Sequence, residues 1–305
     1  MAFTAKDVQT LRERTGCGMM ECKKALTSSD GDMEKAIEFL RERGLAAAAK
    51  KAGRIAAEGI VLTDIDESKK IGVVIEVNAE TDFVAKNEKF VNFAKVCAKT
   101  VLEENPKDMD ALMECKMADG SGDTVAESLR EKILTIGENI KIRRFERHEG
   151  LACGYVHGGG RIGVLVYFDV DDAVAAKDEF KTMAKDIAMQ VAAANPGYLD
   201  KDSVPADVLA KEKEIYKIQA MNEGKPAAIA EKIVMGRVSK FYKDVCLVDQ
   251  AFIKDPDISV TKYIQETAKA LGADIKVTGF VRYERGEGLE KRSDNFADEV
   301  KNMIK

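Results

Sequence analysis

Polar and apolar positions in the first fifty residues follow a helical rhythm. Thr4 can cap a helix that ends near Arg14, and Thr15-Gly16-Cys17-Gly18 breaks it. A second helix spans residues 19–27, and Ser28-Ser29-Asp30-Gly31-Asp32 is a turn. Met33, Ile37 and Leu40 then share one face of a third helix, expected to stop at Gly44. The Ala-rich residues 45–57 read as a helical linker.

Beyond the linker the pattern changes period and then repeats. Glu58-Gly59-Ile60 recurs as Glu149-Gly150-Leu151, and Ile71-Gly72-Val73-Val74-Ile75 recurs as Ile162-Gly163-Val164-Leu165-Val166, both at an offset of 91. After a one-residue gap, Phe90, Ala94, Lys95, Ala98, Val101, Asn105 and Pro106 recur 90 residues later, from Phe180 to Pro196. Each unit reads as a strand, a turn and a second strand, followed by an amphipathic helix. The helix buries Phe90, Phe93, Ala94, Cys97 and Val101 in the first unit. In the second it buries Phe180, Met183, Ala184, Ile187 and Val191. A third strand closes each unit, at residues 140–145 and 275–280. The fold class expected is α+β: two tandem-duplicated subdomains, each a small antiparallel sheet covered by helices.

The second unit carries an insertion. Two charged amphipathic helices are expected at about residues 206–221 and 226–245, the second with Ala230, Val234, Val238, Phe241 and Val245 in register. The short turn Asn222-Glu223-Gly224-Lys225-Pro226 should fold them back as a protruding antiparallel hairpin. A last helix should run from Ser293 through Phe296, Val300 and Ile304.

Composition narrows the function classes. The chain has 305 residues, room for two or three modest cores. Trp is absent and aromatics are 6%, which argues against a large aromatic-lined pocket. A net charge of -5 disfavours sequence-independent nucleic-acid binding. The basic stretch of Arg41, Arg43, Lys50, Lys51 and Arg54 reads more simply as a solvated helix face. Six scattered cysteines without a C-x-x-C pair, and only two histidines, give no structural zinc set and point to a reducing compartment. With neither a signal core nor a run of about 18 apolar residues, a cytoplasmic location is expected.

Catalytic motifs are scarce. There is no nucleophile elbow, since Gly120-Ser121-Gly122 lacks the spacing, and no phosphate-binding glycine loop. Gly158-Gly159-Gly160 lies between two strand patterns and reads as a hairpin turn. Asp171-Asp172 is one carboxylate pair among 53 acidic residues.

The most unusual string is Asn78-Ala79-Glu80-Thr81-Asp82-Phe83-Val84-Ala85-Lys86-Asn87, which leaves a strand and enters the long helix of the first unit. Thr81 or Asp82 can cap that helix, with Phe83 or Val84 packing at its entrance. The second unit has Asp171-Asp172-Ala173-Val174-Ala175-Ala176-Lys177 instead. The cap survives there and the aromatic does not. Phe83 is therefore expected at the surface, where an aromatic beside a carboxylate suits a binding wedge.

These residues also resemble a known family. Thr81-Asp82-Phe83-Val84-Ala85-Lys86-Asn87 looks like the signature of the elongation factor Ts family. So do Arg14-Thr15-Gly16-Cys17-Gly18-Met19-Met20-Glu21-Cys22-Lys23-Lys24-Ala25-Leu26 and His157-Gly158-Gly159-Gly160-Arg161-Ile162-Gly163-Val164-Leu165-Val166. Gly279-Phe280-Val281-Arg282-Tyr283 with Gly286-Glu287-Gly288-Leu289-Glu290-Lys291 is a fourth match, and the four cover the chain in order. The family often has a less glycine-rich turn where this chain has three glycines.

The resemblance implies a division of the chain. Residues 1–56 would be a ubiquitin-associated-like helical module with its linker, and 57–147 the first core subdomain. Residues 148–199 and 250–285 would form the second subdomain, 200–249 the inserted hairpin, and 286–305 a C-terminal helical module. It also implies a function without catalysis: binding elongation factor Tu and releasing its GDP. Thr81, Asp82, Phe83 and Val84 would enter the GTPase domain and disturb its magnesium site, with Phe83 the wedge between partner helices. Arg12, Met19 and Met20 would grip another helix of that domain. His157 and Gly158 would touch a different domain of the partner, and the C-terminal helix would add a contact. No cofactor and no metal of its own is implied, and no direct nucleic-acid or membrane contact. Self-association through the hairpin stays open, as in some relatives.

Three rival readings remain at this point. The first module alone could serve a ubiquitin-type adaptor. The stretch from Lys50 to Arg54 could bind RNA. His157, Asp171 and Asp172 could serve a small-molecule enzyme, which requires a polar pocket near the glycine turn.

Overall fold

Both hairpins of the repeat form, and each recruits its third strand from far along the chain. The computed structural model describes residues 3–224 and 226–290. The helix expected near the C-terminus, residues 293–304, lies outside the described residues.

Three helices come first: α1 (Ala5–Thr15), α2 (Met19–Ser28) and α3 (Met33–Lys51). Thr4 caps α1 through a capping box with Asp7, and Asp32 caps α3 by accepting from the Glu34 and Lys35 N–H groups. Val8, Leu11, Cys22, Ala25, Leu26, Ala36 and Leu40 make their core. Gly44 does not end α3, which continues to Lys51. Gly44 is buried where α3 crosses α7 (Val125–Ile136), and a Cβ there would already touch the Arg130 backbone at 3.6 Å. The glycine lets two helices approach; it is not a stop signal.

The first sheet comprises β1 (Glu58–Asp66), β2 (Ile71–Ala79) and β3 (Lys141–Glu149), antiparallel in that order. Between β2 and β3 lie α4 (Asp82–Ala85), α5 (Glu88–Glu104), α6 (Met109–Glu114) and then α7. The repeat had not called for α6 or α7. The second sheet comprises β4 (Leu151–His157), β5 (Ile162–Asp169) and β8 (Lys276–Glu284), in the same antiparallel order. Its insertions are α8 (Asp172–Ala175), α9 (Asp178–Ala194), α10 (Ala206–Asn222), α11 (Ala227–Val245), the short pair β6 (Ala251–Phe252) and β7 (Asp255–Ser259), and α12 (Val260–Leu271). The fold is α+β with small antiparallel sheets.

Alternation along the middle strands explains the layering. Val73, Ile75 and Val77 of β2 face the core under α5, while Val74 faces the second sheet. In β5, Val164, Val166 and Phe168 face the core under α9, while Leu165 faces the first sheet. Both faces of each middle strand are buried, which is why each reads as a continuous apolar run. The inner faces carry glycine where the sheets touch. A Cβ at Gly163 would lie 2.4 Å from Val61 Cγ1, and one at Gly72 would lie 2.9 Å from the Ala152 Cβ.

The two sheets share one buried charge network. Each third strand has a bulge against its middle strand: Arg143 of β3 is the extra residue opposite Glu76/Val77, and Thr278 of β8 is the extra residue opposite Tyr167/Phe168. Glu76 is fully buried opposite the β3 bulge and accepts from Arg143 Nη1 (3.0 Å), Arg144 Nε (2.6 Å), Asn78 Nδ2 (3.0 Å) and the Gly286 N–H (2.8 Å). Burial alone would raise its pKa. The backbone bond from Gly286 and the Asn78 and arginine bonds outweigh that and hold it below the usual glutamate value.

In the insertion, Arg237 on α11 donates to Gln219 Oε1 (2.6 Å) and to Glu223 Oε1 (2.8 Å), tying it back along α10. Among the described residues, no helix is long and apolar enough to cross a membrane.

Candidate partner-binding site

The string that leaves β2 does not enter the long helix directly. Thr81 is extended (φ -127°, ψ 156°), and its hydroxyl accepts the Val84 N–H at 3.3 Å, starting α4. One turn later Asn87 accepts the Lys89 N–H at 2.9 Å and starts α5. Two caps six residues apart make a four-residue helix stand off the end of α5. Ala85 is buried and Val84 packs against the first core, so Phe83 must point outward. It is 83% exposed, the most exposed large apolar side chain among the described residues.

Two carboxylates hold the base of α4. Glu138 follows the left-handed Gly137 (φ +91°) that ends α7. It accepts from the Glu80 N–H (3.0 Å), the Thr81 N–H (3.1 Å) and the Thr81 hydroxyl (2.7 Å). In return Glu80 accepts the Asn139 N–H at 2.6 Å and pairs with Arg54 at 3.4 Å. Asn139 Nδ2 donates to the Arg54 carbonyl at 2.7 Å, which draws in the chain leaving the first module. Asp82 accepts from Lys86 Nζ at 2.7 Å, and that bond holds its carboxyl below the usual aspartate value. Both partners are largely solvated, so the pair leaves Asp82 free to exchange it.

The matching helix of the second half starts alike and ends otherwise. Asp171 occupies the cap position of α8 without a side-chain bond, and Val174 is buried as Val84 is partly buried. With α4 and α8 in matching places, the offset of 90 sets Ala173 opposite Phe83.

The other expected contact residues lie apart from α4. Arg12 is exposed on α1, and Met19 and Met20, 47% and 63% exposed, begin α2. The loop before them, at Gly16 (φ +67°), lies against Glu131 of α7. His157 is exposed at the end of β4, where its Nδ1 shares a hydrogen bond of 3.0 Å with the Tyr155 hydroxyl. Gly158, Gly159 and Gly160 all have positive φ (59°, 65° and 96°). The third glycine does more than turn the chain: its carbonyl accepts the Val61 N–H at 2.8 Å, and a Cβ there would lie 2.1 Å from Ile60 Cγ1. This turn abuts the start of β1, which pairs with the end of β2. The glycine turn and α4 thus share one end of the two-sheet sandwich.

A catalytic grouping of His157 with Asp171 and Asp172 is not assembled. His157 pairs with Ile162 at the start of β5, and the two aspartates follow its far end, eight residues along. At about 3.3 Å per residue that is roughly 25 Å. Asp172 is paired with Lys70 instead. The basic stretch is also engaged within the chain: Arg41 with Asp123, Arg43 with Glu21, Arg54 with Glu80, and Lys51 with the Ile133 carbonyl. Among the described residues, no group of three or more His, Cys, Asp or Glu could hold a metal.

Glu138 and Asn139 were not named from the sequence, and Glu80 and Gly160 were named only as parts of longer strings. The first three had a signal in the repeat. Aligned on the glycines that end α7 and α12, Glu138 faces Ala273.

Comparison with known proteins agrees along the whole chain. A family model described as Elongation factor TS matches residues 80–287. A protein named Elongation factor Ts from Clostridium novyi (strain NT) is 55% identical over 304 residues, covering 99% of this chain and 98% of that protein. Proteins of the same name from Clostridium perfringens (strain SM101 / Type A) and Clostridium kluyveri (strain NBRC 12016) are 54% and 52% identical, each covering 99% of both chains.

Proposed function

The chain belongs to the elongation factor Ts family, and from that membership we infer that it is the guanine-nucleotide exchange factor of elongation factor Tu in translation elongation. Exchange makes and breaks no covalent bond. Such a factor binds the nucleotide-free GTPase more tightly than the GDP-bound one. The coupling is reciprocal: GDP must weaken the factor's binding by the factor that it weakens GDP's.

We assign the exchange step to Thr81, Asp82, Phe83 and Val84. GDP is held by backbone donors, a phosphate-loop lysine and magnesium. An aromatic driven between two partner helices would shift the elements that orient the magnesium, and the phosphates would lose a neutralising charge. One observation carries this assignment: Phe83 is 83% exposed on a helix whose neighbouring residues are anchored in the core. A buried-on-binding aromatic of this kind is worth about 2 kcal/mol or more. The exposed Met19 and Met20 beside Arg12 suit an apolar grip on the same partner domain. The turn at His157 and Gly158 suits a contact with another domain.

The finer architecture belongs to the same inference. We read residues 1–56 as a ubiquitin-associated-like module, and 57–147 with 148–199 and 250–285 as two duplicated subdomains. Shared strand order, matching bulges and the left-handed Asn105 and Asn195 helix ends support duplication. We read residues 200–249 as the inserted hairpin; the C-terminal module expected at 286–305 lies largely outside the described residues.

Stopped-flow release of a fluorescent GDP from elongation factor Tu tests the function. The protein should speed release by orders of magnitude, and an unchanged rate sinks the assignment.

A further inference from the structure

An exposed aromatic can wedge only if it is presented rigidly, and α4 is too short to be rigid alone. A single turn does not hold itself against the entropy of its nucleus. Inward packing comes from Val84 and Ala85 only. The restraint made directly on its cap is Glu138, whose two carboxylate oxygens accept three hydrogen bonds from Glu80 and Thr81, with donor–acceptor distances within 3.1 Å. Thr81 is the cap of α4, and the hydroxyl that Glu138 accepts from is the one that receives the Val84 N–H. Glu138 therefore fixes the rotamer of the cap, and the cap fixes the direction of the turn that carries Phe83.

The second half is a built-in control. Ala173 stands where Phe83 does, Ala273 where Glu138 does, and Val170 where Glu80 does. The half without the aromatic lacks both carboxylates of the clamp, yet its sheet closes in the same order with its bulge in the same place. Closing the sheet does not need the clamp. What the clamp accompanies is the exposed aromatic.

We propose that Glu138 is a positioning residue for nucleotide exchange, holding the Thr81 cap so that Phe83 meets the partner in one orientation. The proposal rests on the assignment of Phe83 as the wedge. Glu138 touches neither nucleotide nor magnesium in this scheme and acts through the Glu80–Thr81 backbone and the Thr81 hydroxyl. Arg54 and Glu80 brace the same joint from the first module, so the grip of that module and the aim of the wedge are mechanically linked.

Two readouts test it. The chain has no Trp, so Phe83→Trp provides a sole indole at the wedge. Its nanosecond anisotropy decay in the free protein should show restricted motion, and added Glu138→Ala should release it. Glu138→Gln, which keeps one oxygen acceptor, should release it less. In stopped-flow GDP release well below each variant's melting transition, Glu138→Ala should lower the maximal rate about tenfold, as misplacement of a rigid contact does. The half-saturating concentration should change little, and Phe83→Ala/Glu138→Ala should be no slower than Phe83→Ala. A merely structural role would lower the melting temperature and leave the maximal rate alone. If Glu138→Ala and Glu138→Gln leave the maximal rate and the anisotropy at parent values while Phe83→Ala is slow, the positioning role is wrong and the wedge stands. If Phe83→Ala itself is as fast as the parent, the wedge assignment fails and takes this proposal with it.

Discussion

Helices α4 and α8 leave equivalent strands, run for four residues each and hand over to long helices that bury equivalent side chains. At the surface they part. The first presents Phe83 over a carboxylate clamp, and the second presents Ala173 over none. A similar split lies at the two bulges. Opposite the β3 bulge Glu76 is buried among two arginines and the Gly286 N–H, whereas opposite the β8 bulge stands Tyr167, stacked on His148 with ring centroids 3.7 Å apart. Backbone devices are common to both halves because closing a three-stranded sheet under a helix demands them in either place. Side chains that the sheet does not need were free to diverge.

Substitutions at matched positions can break this comparison. The largest effect is expected at the bulges. Glu76→Ala leaves Arg143 and Arg144 facing a void and should cost about 3–5 kcal/mol in chemical denaturation. Tyr167→Phe should stay within about 0.5 kcal/mol, because its hydroxyl has no hydrogen-bond partner among the described residues. Equal losses would mean that the bulges, not the charge network, carry the stability. Next comes the pair at the short helices. Phe83→Ala should reduce the maximal rate of GDP release by about ten- to a hundredfold while moving stability by less than about 0.5 kcal/mol. Ala173→Phe should alter neither quantity.

A smaller effect separates neighbouring glycines in one turn. Gly160→Ala meets Ile60 and keeps a positive φ, and should cost about 1–3 kcal/mol in thermal unfolding. Gly159→Ala has open space and only the backbone penalty, about 1 kcal/mol.

The smallest effect is a difference in pH dependence. Burial holds the His148 pKa below its ordinary value of 6.5, with Glu146 opposing. Below about pH 6.5 the unfolded chain then takes up a proton that the folded one refuses, so stability falls as the pH falls. Glu76, also lowered, adds a loss of the same sign further down, as the pH falls through its folded value. His148→Gln should flatten the first part of the acid limb and leave the second, measured by melting temperature against pH. A profile with a single unchanged limb would show that His148 titrates as in the unfolded chain.

Much of this was legible in residue order. The repeat exposed the two hairpins and their helices, because a strand buried on both faces and a helix with one apolar stripe have unlike periods. The aromatic at position 83 stood out by comparison with Ala173. Gly44 was misread as a stop because helix propensity is local, while its reason for being glycine is the close approach of Arg130. Helices α6, α7 and α12 were passed over because the repeat was followed only where its residues matched.

By itself the sequence determined the α+β class, the duplicated pattern, the family and an aromatic at position 83 that the second unit lacks. All of these rest on periodicity and on which side chains a position tolerates, and both are properties of residue order. The tertiary structure alone decided that Glu138 reaches back across 57 residues to Thr81, that Gly160 meets Ile60, and that Glu76 is neutralised by groups from β3 and from the turn at Gly286. A hydrogen bond or a close packing contact between distant segments depends on how the strands are ordered and registered, and residue order does not reveal that until the chain has folded.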